Sequence, residues 1–165
     1  MMRVFAISGF SGTGKTALVE TIVSSLTKAG HSVATIKSSM HSQDPEQGTD
    51  TWKHKQAGAS IAVFVGPNTK STHIKDRLTP DELDELSRND FLIIEGMKSA
   101  NIPKFWCIGE RELIHDEIPV NTQAIVVWPN RVVTLEVDLP VFRSDEIEKL
   151  VEIIISDAID FQKIE

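Results

Sequence analysis

The string Gly9-Phe10-Ser11-Gly12-Thr13-Gly14-Lys15-Thr16 limits the folds open to this chain more than any other stretch. It matches the pattern of glycine, four spacers, glycine, lysine and a serine or threonine in full. Its glycines let the backbone curl until several amides point inward, forming a nest for an anion. Such a nest works between a strand and the positive end of a helix, and both are written here. Val4-Phe5-Ala6-Ile7 is a continuous apolar run, as in a strand covered on both faces. From Thr16, the residues Leu18, Ile22, Leu26 and Ala29 recur at helical spacing, widened by Val19 and Val23. The reading is a nucleoside triphosphate site with Mg²⁺, touched by Gly9, Ser11, Gly12, Thr13, Gly14, Lys15, Thr16 and Ala17. Lys15 is expected on the β and γ phosphates and the Thr16 hydroxyl on the metal.

Gly30 ends that helix and Val33-Ala34-Thr35-Ile36 follows as a second strand, so the unit is βαβ with a parallel sheet and a right-handed crossover. Residues 38–49 read as a loop. Asp50 reads as the cap of a short helix through about Ala57, closed by Gly58. Ile61 to Val65 is a strand, Gly66-Pro67-Asn68 a turn, and Lys70 to Arg77 one edge strand. Thr79, Pro80 and Glu82 form a capping-box signature for a helix ending near Asn89. Phe91 to Ile94, Phe105 to Ile108 and Ala124 to Trp128 are further apolar runs. Ser144 reads as the cap of a last helix whose apolar face runs through Ile147, Leu150, Val151, Ile154, Ile155, Ala158 and Ile159. Alternating strands and helices predict an α/β fold, a P-loop NTPase-like three-layer sandwich with a mostly parallel sheet, forming one domain over residues 1–165.

Charge and composition narrow the partners. Seventeen Lys plus Arg against twenty-four Asp plus Glu give a net charge of -7 with no basic stripe, which argues against nucleic acid. No run approaches the length of a membrane span and the amino terminus lacks the features of a secretory signal, so the expected location is the cytoplasm. Cys107 is the only cysteine and reads as a buried inert thiol.

Glu95 closes the run Phe91-Leu92-Ile93-Ile94, at the strand end where a carboxylate would meet Mg²⁺ directly or through water, or position a water. Lys15 and Glu95 are therefore the candidate catalytic residues. The base is less legible. No Asn/Thr-Lys-x-Asp motif is present, and Asn130-Arg131-Val132-Val133 in that region lacks the aspartate. The six arginines form no lid cluster. Chemistry alone leaves a mononucleotide-binding enzyme, a small kinase acting on a metabolite, or a nucleotide-gated adaptor without useful turnover.

Other segments carry a resemblance. Val33-Ala34-Thr35-Ile36-Lys37, then Gly48-Thr49-Asp50-Thr51-Trp52-Lys53-His54-Lys55-Gln56-Ala57-Gly58-Ala59, follow the phosphate loop at a distinctive distance. Ile94-Glu95-Gly96-Met97-Lys98 with Ile102-Pro103-Lys104, and the late string Asp138-Leu139-Pro140-Val141-Phe142, complete the set. In this order they resemble the MobB family of molybdopterin-guanine dinucleotide biosynthesis proteins over nearly the whole chain. The resemblance implies GTP binding with weak hydrolysis, a homodimer, a guanylyltransferase partner and contact with molybdopterin-bearing proteins. It also implies that Lys37 and Asp50 face the nucleotide, with Thr16, Asp50 and Glu95 around the metal. Ser38-Ser39-Met40-His41 departs from the histidine-rich run usual after that lysine. His41 and His54 together make a thin metal-ligand set. Phe105-Trp106 and Val126-Val127-Trp128 are expected to contribute to a dimer or to the core, and the segments 38–49 and 97–101 to respond to nucleotide.

Overall fold

A computed structural model describes residues 1–38, 50–65, 74–75, 80–131 and 136–163. The first strand, β1 (Arg3–Gly9), runs into the glycine-rich loop that the sequence reads as a phosphate loop, and α1 (Lys15–Lys28) leaves it. Then come β2 (Val33–Ser38), α2 (Asp50–Gln56), β3 (Ile61–Val65), β4 (Ile74–Lys75), α3 (Pro80–Ser87) and β5 (Phe91–Glu95). The chain continues through β6 (Lys104–Gly109), β7 (Thr122–Val127), β8 (Val141–Arg143), α4 (Ile147–Asp157) and β9 (Ile159–Asp160). Eight strands follow the order β4-β3-β2-β5-β1-β6-β7-β8 and pair in parallel. The fold is thus the expected α/β sandwich with a largely parallel sheet.

Side chains alternate across the strands and so divide the core in two. Phe5, Ile7, Phe91, Ile93, Phe105 and Cys107 face one side, where α1 and α4 cover them with Leu18, Val19, Ile22, Leu26, Leu150 and Ile154. Val4, Ala6, Ala34, Ile36, Leu92 and Ile94 face the other, with Leu86 of α3 and Ile102. Beyond them Trp106, Ile108, Ile125 and Val127 continue that second face. Burying both faces explains why these strands read as unbroken apolar runs.

β9 joins the sheet in the antiparallel sense, opposite Arg3 and Val4. It fits there because β6 meets β1 only from Ala6 onward. Ile159 therefore belongs to a strand and not to the last helix, which ends at Asp157. Ile155 on that helix is exposed, as is Ala29 beyond α1, so both apolar stripes are narrower than their spacing suggested. Ser144 does not cap α4. The residue before the helix is Glu146, whose carboxylate accepts the Arg143 amide at 2.8 Å, while the Ser144 amide is donated to the Val127 carbonyl. Of the edge strand expected over 70–77, the described part is β4. Pro80 opens α3 as expected; Thr79, the Glu82 side chain, the 66–68 turn and residues 39–49 lie outside the described residues.

Phe105, Trp106, Val126 and Val127 are buried in the chain's own core, so none is available to a dimer. Cys107 is free and buried, and burial pushes its thiol pKa up to about 12, which keeps it protonated and inert. Among the described residues no helix is long and apolar enough to cross a membrane.

Candidate functional site

Parallel strands end together, so whatever follows their carboxyl ends is gathered on one rim. Gly9 to Gly14 leave β1 on that rim, and Gly14, with φ 84°, turns the chain into α1. The first turn of α1 carries no acidic residue and no side chain caps it. The helix thus supplies no carboxylate of its own to its positive end, which suits an anion site. Thr13 is buried and its hydroxyl donates to the Phe10 carbonyl at 2.8 Å, tying the loop to itself. Ser11, Gly12, Gly14 and Ala17 are exposed along the same curve. Lys15 donates to the Phe10 carbonyl at 2.5 Å, so its ammonium lies folded over the loop that it follows. Burial lowers its pKa and the nearby Lys37 adds to that, against the attraction of Glu95.

Strand register builds the acidic half of the site. Ile7 of β1 and Lys37 of β2 both pair with Glu95, so the last residue of β5 stands beside the root of the phosphate loop. Glu95 is only 1% exposed. One carboxylate oxygen accepts the Thr16 hydroxyl at 2.9 Å and a short hydrogen bond from the Lys37 ammonium. The other lies 3.0 Å from His54 Nε2. Lys37 continues to Asp50 Oδ2 at 2.9 Å, so one ammonium bridges two carboxylates. Burial disfavours charge on Glu95, but His54 and Lys37 outweigh it and hold the pKa at about 2, below the ordinary 4.5. Burial likewise opposes the charge on Lys37, and Glu95 and Asp50 raise its pKa regardless. Thr16, Lys37, Asp50 and Glu95 are thus brought together, with Lys15 on the same loop.

A depressed carboxylate pKa contributes stability that is present above the unfolded value and disappears as pH falls through the folded one. The stabilising share of Glu95 is therefore expected to be lost between about pH 4.5 and about pH 2. Urea melts at stepped pH, compared with those of Glu95→Gln, should converge across that window. A constant gap down to pH 2 would mean that the carboxylate is not held ionised.

Asp50 is the first described residue of α2, and the residue before it lies outside the described residues. His54, four residues on, is fully buried and is the residue whose role sequence spacing left unseen. Asp50 and His54 share one face of α2 at the i, i+4 interval, which is the signal that could have found it. His54 Nδ1 is buried without a hydrogen-bond partner among the described residues.

A second group missed from sequence surrounds Phe10. Its ring meets Trp106 edge-on with centroids 5.2 Å apart. The Arg111 guanidinium lies 4.1 Å from its centroid and the Lys98 ammonium 5.5 Å, so two cations flank the loop's aromatic residue. Lys104 stays away from the rim: fully buried, it donates to the carbonyls of Ala100 and Val120 and joins two loops. Trp128, following β7, sets its indole nitrogen over Gly14 and Gly109.

The family described as "Molybdopterin guanine dinucleotide synthesis protein B", MobB, matches residues 4–128, which include the phosphate loop, Lys37, Asp50, His54 and Glu95. A Bacillus subtilis protein named a probable molybdopterin-guanine dinucleotide biosynthesis adapter protein is 29% identical over 87% of this chain and 86% of its own length. The corresponding Escherichia coli adapter protein is 25% identical over 94% of this chain and 93% of its own. The crystal structure of Bacillus subtilis MobB superposes with a TM-score of 0.63 at 26% identity, covering 94% of this chain and 98% of that one. HypB from Helicobacter pylori shares the fold, with a TM-score of 0.62 at 14% identity over 94% of this chain and 86% of that one. With the family pattern running from the first strand to Trp128, the chain belongs to the MobB family, molybdopterin guanine dinucleotide synthesis protein B.

Proposed function

We propose that this chain binds GTP with Mg²⁺, hydrolyses it slowly, and serves as an adapter to a guanylyltransferase partner in molybdopterin-guanine dinucleotide synthesis. The observation that carries the reading is the meeting of the phosphate-loop residue Thr16 with the buried carboxylate of Glu95 at 2.9 Å. Hydroxyl and carboxylate oxygens are the hard donors that Mg²⁺ prefers, and Thr16, Glu95 and Asp50 supply them on one rim. Bound there with the nucleotide, the ion would neutralise phosphate charge.

The chain's own residues have distinct tasks in this reading. Loop amides and the α1 terminus hold the phosphates, and Lys15 leaves the Phe10 carbonyl to reach them. Glu95, kept ionised, fixes the Thr16 hydroxyl. Lys37 already bridges Glu95 and Asp50, so any cation entering between them must displace an ammonium. That exchange favours a rim that responds to nucleotide over a fast hydrolytic centre.

Lys15→Ala is expected to weaken GTP binding by about 1.5–3 kcal/mol, the range of a charge-assisted hydrogen bond. Calorimetric titration in Mg²⁺ with GTP and ATP checks this and the base preference together. Unchanged GTP affinity in the folded variant removes the assignment, and equal affinities for the two nucleotides remove guanine. The adapter role is supported by the names of the relatives, and its test is partner affinity with no nucleotide, GDP and a non-hydrolysable GTP analogue. Equal affinity in all three states would end GTP-controlled docking. A cytoplasmic homodimer of single-domain chains completes the proposal, and sedimentation over a concentration series decides the dimer.

A further inference from the structure

On the flank of the phosphate loop away from Glu95, the loops after β6 and β7 enclose a cleft of about 430 Å³ lined by Glu110, Trp128, Pro129, Asn130 and Arg131. Its volume falls within the general range of small-ligand sites, about 300–1,000 Å³. The cleft abuts the phosphate site: a Cβ placed on Gly14 would lie 3.1 Å from the Trp128 indole nitrogen. A triphosphate seated on the α1 terminus therefore has this cleft within reach of its base.

The walls are fixed. Arg131 donates to the Gly109 carbonyl at 2.9 Å and, by a short bond, to the Arg111 carbonyl. Those two residues bracket Glu110, so one guanidinium pins the Glu110 turn to the loop that carries Trp128 and Asn130. Glu110 is exposed, and the Trp128 ring is 36% exposed beside it. An aromatic residue, a glutamate on a tethered backbone turn and an asparagine thus line one space.

We propose that this cleft is the nucleobase subsite and that Glu110 selects guanine, supplying from the loop after β6 the carboxylate that the Asn130-Arg131 segment lacks. The assignment rests on the GTP reading above. Guanine presents two adjacent donors, N1–H and the 2-amino group, which match the two oxygens of one carboxylate. Adenine presents an unprotonated N1 along that edge, which a carboxylate repels. Asn130 can donate to the guanine O6, and the Trp128 face can cover the ring.

The test is calorimetry on wild-type protein and Glu110→Gln, with Mg²⁺ and each of GTP, ITP, XTP, ATP and inorganic triphosphate. Wild-type protein should prefer GTP to ITP, which lacks the 2-amino donor, and to XTP, which has an acceptor there. A glutamine offers one acceptor and one donor, so Glu110→Gln should lose GTP affinity by roughly tenfold or more and shift its preference toward XTP. Inorganic triphosphate should bind both proteins alike. An unaltered GTP to XTP ratio in Glu110→Gln, with GTP still bound, overturns the subsite while leaving the phosphate site standing. Failure of both GTP and triphosphate to bind wild-type protein removes the phosphate-loop reading and this one with it.

Discussion

Glu95→Gln is expected to lower unfolding free energy by about 3 kcal/mol, the lower end of what removing one member of a buried ion pair costs. The variant retains shape but takes away the charge that the Lys37 ammonium and His54 share. Lys37 is not left wholly unpaired, because Asp50 stays 2.9 Å away, and this keeps the loss from the top of the range. Denaturant unfolding without nucleotide measures it, with unchanged slope and a lower midpoint. Mg²⁺ dependence of GTP binding should weaken in the same variant, since Thr16 loses its anionic partner. A midpoint equal to that of the wild-type protein would show that the Glu95 charge contributes nothing net to the fold.

Gly96→Ala should be at least as damaging, at about 3–5 kcal/mol, for a backbone reason. Gly96 has φ 107°, where a side chain is strained, and an added Cβ would lie 2.5 Å from the Ser38 carbonyl of β2. Gly96 cannot swing aside, because its amide is donated to the Ile7 carbonyl at 3.0 Å and its own carbonyl accepts the Ser8 hydroxyl at 2.6 Å. Relief would require β2 and β5 to part beside Lys37 and Glu95. Gly12→Ala is the control: Gly12 also has positive φ, at 75°, but a Cβ there meets no described atom within 4 Å. Its stability loss should stay near 1 kcal/mol, the ordinary penalty of a left-handed residue. If the two variants melt together, the close approach at Ser38 is not limiting.

These cases show where sequence was sufficient. The glycine-rich turn, the helix after it and the strand ending at Glu95 were legible because each is a local pattern with a local cause: glycine geometry, helical spacing, an apolar run. Lys37 and Asp50 needed the family resemblance, because their meeting depends on the pairing of β2 with β5 and on the landing place of α2. His54 stayed hidden in part for the same reason: its i, i+4 spacing from Asp50 marks a shared helix face, but its contact with Glu95 depends on where α2 lands. Arg111 and Trp128 reach the phosphate loop from strands distant in sequence, so counting arginines along the chain could not find the one beside Phe10. Ile159 misled because an apolar residue continues a helical stripe and starts a strand equally well. A backbone partner on β1 decided between them.

The pairing of β9 with β1 also bears on how the protein is made. Arg3 and Val4 are synthesised well before their antiparallel partners Asp160 and Ile159, which follow all the other described strands along the chain. Until then the root of the strand that carries the phosphate loop has an open edge beside the start of β6, and such edges invite pairing with other chains. Arg3 adds a second late contact by donating to the Ile155 carbonyl at 2.6 Å. The rim formed by Thr16, Lys37, Asp50 and Glu95 can thus assemble from residues already synthesised while the base of β1 waits for α4 and β9. Completing that edge is a late closing step, and shielding it is a task for the crowded interval before β9 is made.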